Sequence, residues 1–288
     1  MRSFIIKTSV FLTLVITLVI ATELYIRAIP NTYSYQIDYL KSNAQNIEIL
    51  VLGHSHLEGN RLSPDFFKAK LFNMATGGQG LAIDEFIVEK YIDDLKSVQC
   101  LILPLSYNSL IAPEAYGSDD KITYYKVYYG YRRNFFCKKD YELFARGIEK
   151  IKKHWNTIHE KKDNNNYQND AKDISDLYNN MEIDTLNTYR LEHIVNLCAN
   201  RDIKLVLVTT PTMIEYQKML DITRLKMMYS EAEYLINRYD NVFYFDFSND
   251  AICKDTIYFS DASHLNKKGA EYFSAKLAHD IDSLGLLK

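Results

Sequence analysis

Five short apolar runs separated by stretches of helical periodicity constrain this chain more than any other feature. The runs are Ile47 to Leu52, Leu71 to Ala75, Val98 to Leu105, Ile203 to Thr209 and Val242 to Phe247. Each is four to eight residues long, and several end in Gly or Pro, as buried strands do. Between them, Ile83 to Leu95, Asp184 to Ala199, Met213 to Tyr239 (with a break) and Lys267 to Leu284 carry helical spacing. Ser63-Pro64 marks the start of a further short helix. Strands alternating with helices imply a parallel sheet covered on both faces. Right-handed crossovers then give a three-layer α/β/α sandwich of flavodoxin-like type around a five-stranded, mostly parallel sheet. In such sheets chemistry sits at the carboxyl ends of the strands.

Before the first strand, Phe4 to Ala21 is apolar except for Lys7. Eighteen residues at the helical rise span roughly 27 Å, enough for a hydrocarbon core. Arg2 and Lys7 place the positive bias at the N-terminal end, which predicts that the rest of the chain is translocated. The length favours an uncleaved anchor over a cleaved signal, for which Val19-Ile20-Ala21 is only a fair site. The expected organisation is an anchor and juxtamembrane segment over 1–30 and one α/β domain over 31–288, with the domain extracytoplasmic. A net charge of -3 argues against a nucleic-acid partner. Four single cysteines, Cys100, Cys137, Cys198 and Cys253, form no C-x-x-C pair, so zinc-ribbon and thioredoxin-like chemistry are not expected.

An insertion or lid is expected over about 110–180, between the third and fourth strands. Its stretch 121–162 carries twelve Lys or Arg against four Asp or Glu, with Tyr124, Tyr125, Tyr128, Tyr129, Tyr131 and Tyr141 interleaved. Two readings stand: an aromatic, basic wall for an anionic or sugar substrate, or a solvated helical face with tyrosines packed on the sheet. The second is favoured. Asp140 to His159 reads as helix, and Lys161 to Asp170 as a flexible loop.

Chemistry is suggested by Gly53-His54-Ser55-His56 directly after the first strand and by Asp261-Ala262-Ser263-His264 just before the last helix. A serine that attacks an ester needs a base, a carboxylate to orient the base, and donors for the oxyanion. An Asp and a His three apart in a turn can converge, leaving Nε2 free for the serine. The bland alternatives are that Ser55 caps a turn, that Asp261 caps the last helix and that Gly77 and Gly78 only make a tight turn.

Four blocks carry a resemblance to the SGNH (GDSL) hydrolases: GHSH (53–56), FNMATGGQG (72–80), LILPLSYN (101–108) and FSDASHLNKKGAEYF (259–273). The chain looks most like the membrane-anchored members found in bacterial surface-polysaccharide loci. The resemblance implies Ser55 as nucleophile, His264 as base and Asp261 as its orienter. It implies oxyanion donors at the backbone of Ser55, at Gly78 and at Asn108. His54, His56 and Gly77 flank these as substrate-contacting positions. It implies no cofactor and no metal. The substrate it implies is an acyl ester, most plausibly acetyl, of an extracytoplasmic glycan, with room for a membrane acyltransferase as partner. His54 stands where the family has Asp, and Ser106-Tyr107-Asn108-Ser109 departs from G-x-N-D, which leaves a catalytically weak, carbohydrate-binding accessory protein as the alternative. A metal-dependent hydrolase built on His54, His56, Asp261 and His264 is a further rival.

Overall fold

The computed structural model describes residues 1–112, 120–131 and 167–287. The elements run α1 (Arg2–Ala28), α2 (Thr32–Asn43), β1 (Ile49–Val51), β2 (Leu71–Asn73), α3 (Leu81–Tyr91), β3 (Cys100–Pro104), α4 (Asp120–Tyr124), α5 (Tyr167–Asn179), α6 (Asn187–Ala199), β4 (Lys204–Thr209), α7 (Ile214–Gln217), α8 (Ile222–Arg238), β5 (Val242–Asp246) and α9 (Lys267–Ser283). By contact the chain divides into two compact units, one of Met1–Asp38 with Thr123–Asp163, the other of Tyr39–Ile122 with Asn164–Lys288.

The larger unit is built on one five-stranded sheet in the order β2-β1-β3-β4-β5. Every pair is parallel, with Ile49 opposite Leu71 on one side and Cys100 on the other, Cys100 opposite Lys204 and Leu205 opposite Val242. Flanking helices complete the α/β/α sandwich. The central strands β1 and β3 are buried at every position, while the edge strands β2 and β5 are only partly so. That is why the central runs read as continuous apolar segments. Chain order reverses between β1 and β3, so a crevice opens beyond the carboxyl ends of these two strands. Ser55 follows β1, and Ser106 to Ser109 follow β3, at the mouth of this crevice.

Several boundaries differ from the sequence reading, each for a local reason. The helix expected from Asp184 starts at Asn187, because the Asp184 carboxylate instead accepts the Leu186 N–H and pairs with Arg190. The break inside Met213 to Tyr239 falls before Asp221, whose side chain caps α8 by accepting the Thr223 and Arg224 N–H groups. The helix at Ser63-Pro64 is a single 3₁₀ turn, Pro64–Phe66. The loop expected over 161–170 is helical from Tyr167 onward, since α5 buries Ala171 and Tyr178 further along. The expected helix from Asp140 to His159, together with Cys137 and Tyr141, lies outside the described residues. Cys100, Cys198 and Cys253 are buried free thiols.

In the smaller unit, α1 is a 27-residue helix with mean hydropathy 2.4 in its most apolar window. Its side chains are almost all exposed, which is consistent with a membrane anchor or a signal helix. Of the tyrosines expected on the sheet, Tyr124, Tyr125, Tyr128 and Tyr129 pack here instead. Tyr33 stacks on Tyr124 at 4.7 Å between centroids and meets Tyr125 and Tyr129 edge-on. The Tyr129 hydroxyl donates to Gln36 at 2.9 Å, and the Tyr128 hydroxyl to the Arg27 carbonyl at 3.3 Å.

Candidate active site

The turn after β1 begins at Gly53, which adopts φ +104°, a conformation that side-chain-bearing residues rarely take. A Cβ there would lie 2.2 Å from Cδ of Pro104, so the proline ring of β3 fills the space above the glycine. Proline cannot donate to the ladder, and β1 has already ended at Val51 when β3 reaches this residue. The chain then turns sharply: Leu57 N–H donates to His54 O at 3.1 Å and Glu58 N–H to Ser55 O at 3.3 Å. Arg61 adds a bond from Nη1 to the Ser55 carbonyl at 3.1 Å. Asn73, at the end of β2, donates from Nδ2 to Leu57 O and Gly59 O at 2.6 and 3.2 Å. Ser55 is thus carried on a turn anchored to β2, β3 and its own following residues.

The second loop is closed on itself. Phe259 and Leu265 form an antiparallel bridge, and Ser260 N–H donates to His264 O at 2.9 Å. Asn266 caps α9, its Oδ1 accepting the Gly269 N–H at 3.1 Å, while its Nδ2 donates to Ile257 O and Phe259 O at 2.8 and 3.1 Å. Capping of the last helix therefore belongs to Asn266, and the Asp261 carboxylate is available elsewhere. Gly269 lets α9 approach closely, since a Cβ there would sit 2.1 Å from the Tyr258 carbonyl oxygen. The two loops are tied by Ser63 N–H donating to Ser274 Oγ of α9 at 2.8 Å.

These anchors bring Ser55 and His264, 209 positions apart, to 2.8 Å between Oγ and Nε2. His264 Nδ1 lies 2.9 and 2.8 Å from the two carboxylate oxygens of Asp261. Asp261 Oδ1 also accepts the Ser263 and His264 backbone N–H groups, each at 2.9 Å. Burial raises the Asp261 carboxyl pKa, but the bond and charge of His264 with the two backbone donors outweigh it and leave it below the ordinary value. Ser55 and His264 are both partly exposed.

The other expected positions fall as follows. Among the described residues, no backbone acceptor meets the Ser55 or Gly78 N–H. Gly78 has φ +74°. Gly77 faces Glu58, whose Oε2 would lie 3.2 Å from a Cβ at that position. Asn108 is only 1% exposed, and its carbonyl accepts the N–H groups of Ile111 and Ala112 at 3.2 and 2.8 Å. His54 and His56 are buried. His56 Nδ1 is bonded to Ser106 Oγ and Thr210 Oγ1 at 3.2 and 3.1 Å. The His54 ring accepts the His56 N–H at Nδ1 and meets Ser109 Oγ at Nε2, each at 3.4 Å. Burial, followed by the charge of His264, lowers the His54 pKa to about 3; burial, followed by the charges of His54 and then His264, lowers that of His56 well below the ordinary value. Among the described residues no group of three or more His, Cys, Asp or Glu is arranged to hold a metal ion.

Sequence reasoning missed Asp84. It is buried in α3, and burial raises its carboxyl pKa to about 7 against the opposing bonds from Gln79 and Gly53. An acidic residue buried in an apolar helix near a glycine turn is the signal that could have found it. Two openings lie along these loops. His56, Ser106, Thr210, Tyr216 and Tyr229 line a cavity of about 50 Å³. Glu58, Asn60, Arg61, Ser260, Asn266 and Lys267 line a groove of about 600 Å³.

No family model and no curated protein matches the chain. Solved structures similar to it include a candidate acylhydrolase from Bacteroides fragilis NCTC 9343, 14% identical, covering 86% of this chain and 95% of that one with a TM-score of 0.45. A GDSL-like lipase from Bacteroides thetaiotaomicron VPI-5482 is 13% identical, with 88% and 99% covered and a TM-score of 0.44. A likeness at this level concerns fold alone.

Proposed function

We propose that the protein is a serine-dependent acyl-ester hydrolase or O-acyltransferase of SGNH type, held at a membrane by α1 and acting on an extracytoplasmic glycan. The observation that carries this reading is the unbroken hydrogen-bond chain from Ser55 Oγ through the His264 ring to Asp261. It lies at the carboxyl end of β1, where the order of the sheet reverses. In the reaction, His264 Nε2 takes the Ser55 proton as Oγ bonds to the ester carbonyl carbon. Asp261 stabilises the imidazolium and fixes its orientation. The oxyanion forms opposite the free N–H groups of Ser55 and Gly78. Collapse breaks the bond to the leaving alkoxide, which takes the proton back from His264, and an acyl-Ser55 remains. Water completes hydrolysis; a sugar hydroxyl completes acyl transfer. Both give a proton to His264 on attack, so the triad serves either outcome.

A short acyl group and a hydroxyl-rich alcohol are supported by the openings beside the two loops. The cavity at His56 is small, and the wider groove is lined by amides, hydroxyls and charges rather than by an apolar wall. Arg2 ahead of the apolar run and Lys7 near its N-terminal end support translocation of the domain. The test is Ser55→Ala in the full chain, with turnover of a generic acetyl ester and labelling by a fluorophosphonate as readouts. We expect loss of both with an unchanged melting temperature; turnover equal to wild type would remove the serine mechanism.

A further inference from the structure

Four side chains and backbone groups beneath the nucleophile turn close into a ring. Gly53 N–H donates to Asp84 Oδ1 at 2.9 Å. Gln79 Nε2 donates to the same oxygen at 2.5 Å. Thr76 Oγ1 donates to Gln79 Oε1 at 2.9 Å. Thr76 N–H donates to Gly53 O at 2.9 Å, which completes the circuit. Asp84, Gln79 and Thr76 are all buried, and Asp84, Gln79 and His54 line a void of only about 10 Å³, about one water. The ring joins the turn that carries Ser55 to the turn Thr76 to Gln79 that carries Gly77 and Gly78.

We propose that Asp84 is a positioning residue that sets the separation between the serine turn and the double-glycine turn. It gathers a donor from each turn onto one carboxylate oxygen. A carboxyl group desolvated in this way is costly. What the group supplies is a fixed distance between two stretches of backbone otherwise joined through the Thr76–Gly53 bond. Under the reading proposed above, on which this rests, that distance decides whether the N–H groups of Ser55 and Gly78 meet the same developing oxyanion.

The experiment compares Asp84→Ala, Asp84→Asn and Gln79→Met in the full chain. It reads kcat and KM on an acetyl ester and hydrogen exchange of the two turns. Loss of an oxyanion donor lowers kcat about 100- to 1000-fold, so Asp84→Ala should lose kcat on that scale with KM within about threefold of wild type. Asn can accept both bonds through Oδ1 and should restore kcat to within about tenfold. Gln79→Met cuts only the second turn free; it should lower kcat while raising exchange at the Thr76 and Gln79 N–H groups and leaving that of Gly53, bonded to Asp84, unchanged. If Asp84→Ala does not fold, Gln79→Met decides alone. A kcat within about threefold of wild type in folded Asp84→Ala or Gln79→Met, or a loss confined to KM, overturns the proposal. Should Ser55→Ala retain turnover, the esterase reading fails too, and exchange at the two turns still reports whether Asp84 couples them.

Discussion

Replacing Gly53 by alanine would test whether the nucleophile turn is held by steric fit. Two costs can be worked from the structure. Gly53 has φ +104°, and placing an L-residue in left-handed space costs about 1–2 kcal/mol. The added Cβ would lie 2.2 and 2.3 Å from Pro104 Cδ and Cγ, whereas carbons rest at about 3.5–4.0 Å. More than an ångström must come from moving the turn, because the proline ring is rigid and sits in β3. Overpacking of this kind costs about 1–3 kcal/mol. The sum, roughly 2–5 kcal/mol, corresponds to a melting temperature lower by roughly 4–20 °C for a domain of this size. Ser55 is two residues away, so a shift of about 1 Å would also cost about 100-fold in rate. The assay is thermal unfolding of the full chain in detergent, with acetyl-ester turnover beside it. Pro104→Ala in the same background should recover the overpacking part and not the backbone part. If Gly53→Ala melts within about 1 °C of wild type, the fit between Gly53 and Pro104 does not hold the turn.

Asp261→Asn keeps the size of the side chain but favours the wrong imidazole tautomer, and should lower kcat by roughly 10⁴-fold with little change in KM; steady-state kinetics at neutral pH would show it, and an unchanged kcat removes Asp261 from the relay. Gly269→Ala drives a methyl into the Tyr258 carbonyl, so it should destabilise the chain by about 1–3 kcal/mol and loosen the His264 loop; a urea midpoint equal to wild type would contradict it. Asp84 makes stability depend on pH. Its folded pKa is raised from 3.8 to about 7, so its contribution is fully present below the unfolded value and lost as pH rises through the folded one. The loss is on the order of 4 kcal/mol. Urea midpoints of wild type and Asp84→Asn at about pH 5 and about pH 8 should diverge at the higher pH, with the variant holding up better; parallel curves would show that Asp84 titrates normally.

Much of this architecture could be read from residue order, and the reasons are physical. Strands β3 and β4 are buried almost throughout, so they appear as uninterrupted apolar runs ended by Pro104 or by Pro211 soon after. Ser55, Asp261 and His264 could be picked out because each stands at a loop beside a marked element end, Gly53 in one case and the Asn266 cap in the other. Asp84 escaped notice because it sits among Leu81, Ala82, Ile83 and Ile87 in the first turns of α3, where an acidic residue passes for an ordinary favourable charge near a helix N-terminus. The packing of Tyr124, Tyr125 and Tyr129 is hidden from the sequence for a different reason. Their rings satisfy one another and Gln36, and no strand or helix period marks which surface such a cluster will meet. In α5 the local composition is polar, so the helical signal rested on a few positions such as Ala171 and Tyr178.

The three imidazoles near Ser55 divide into unlike roles by their surroundings. His54 and His56 meet edge to face at 4.7 Å, and His56 meets His264 at 5.4 Å. A row of rings this close could share a proton, which would spread the charge taken from serine away from the reacting atoms. Burial prevents it: desolvation is the largest influence holding both His54 and His56 neutral, followed by the charge of His264 at His54 and by the charges of His54 and then His264 at His56. Of the three, only His264 touches a carboxylate, at 2.8 Å. The hydroxyls of Ser106 and Thr210 on His56 Nδ1 satisfy that ring without offering it a counter-charge. In the proposed reaction, the proton from Ser55 would therefore be confined to the ring beside Asp261. On this account His56→Asn and His54→Asn should change the site's packing and rate, yet leave a single titration governing kcat/KM; a second base appearing in the wild-type profile, and vanishing in either variant, would show the proton is shared.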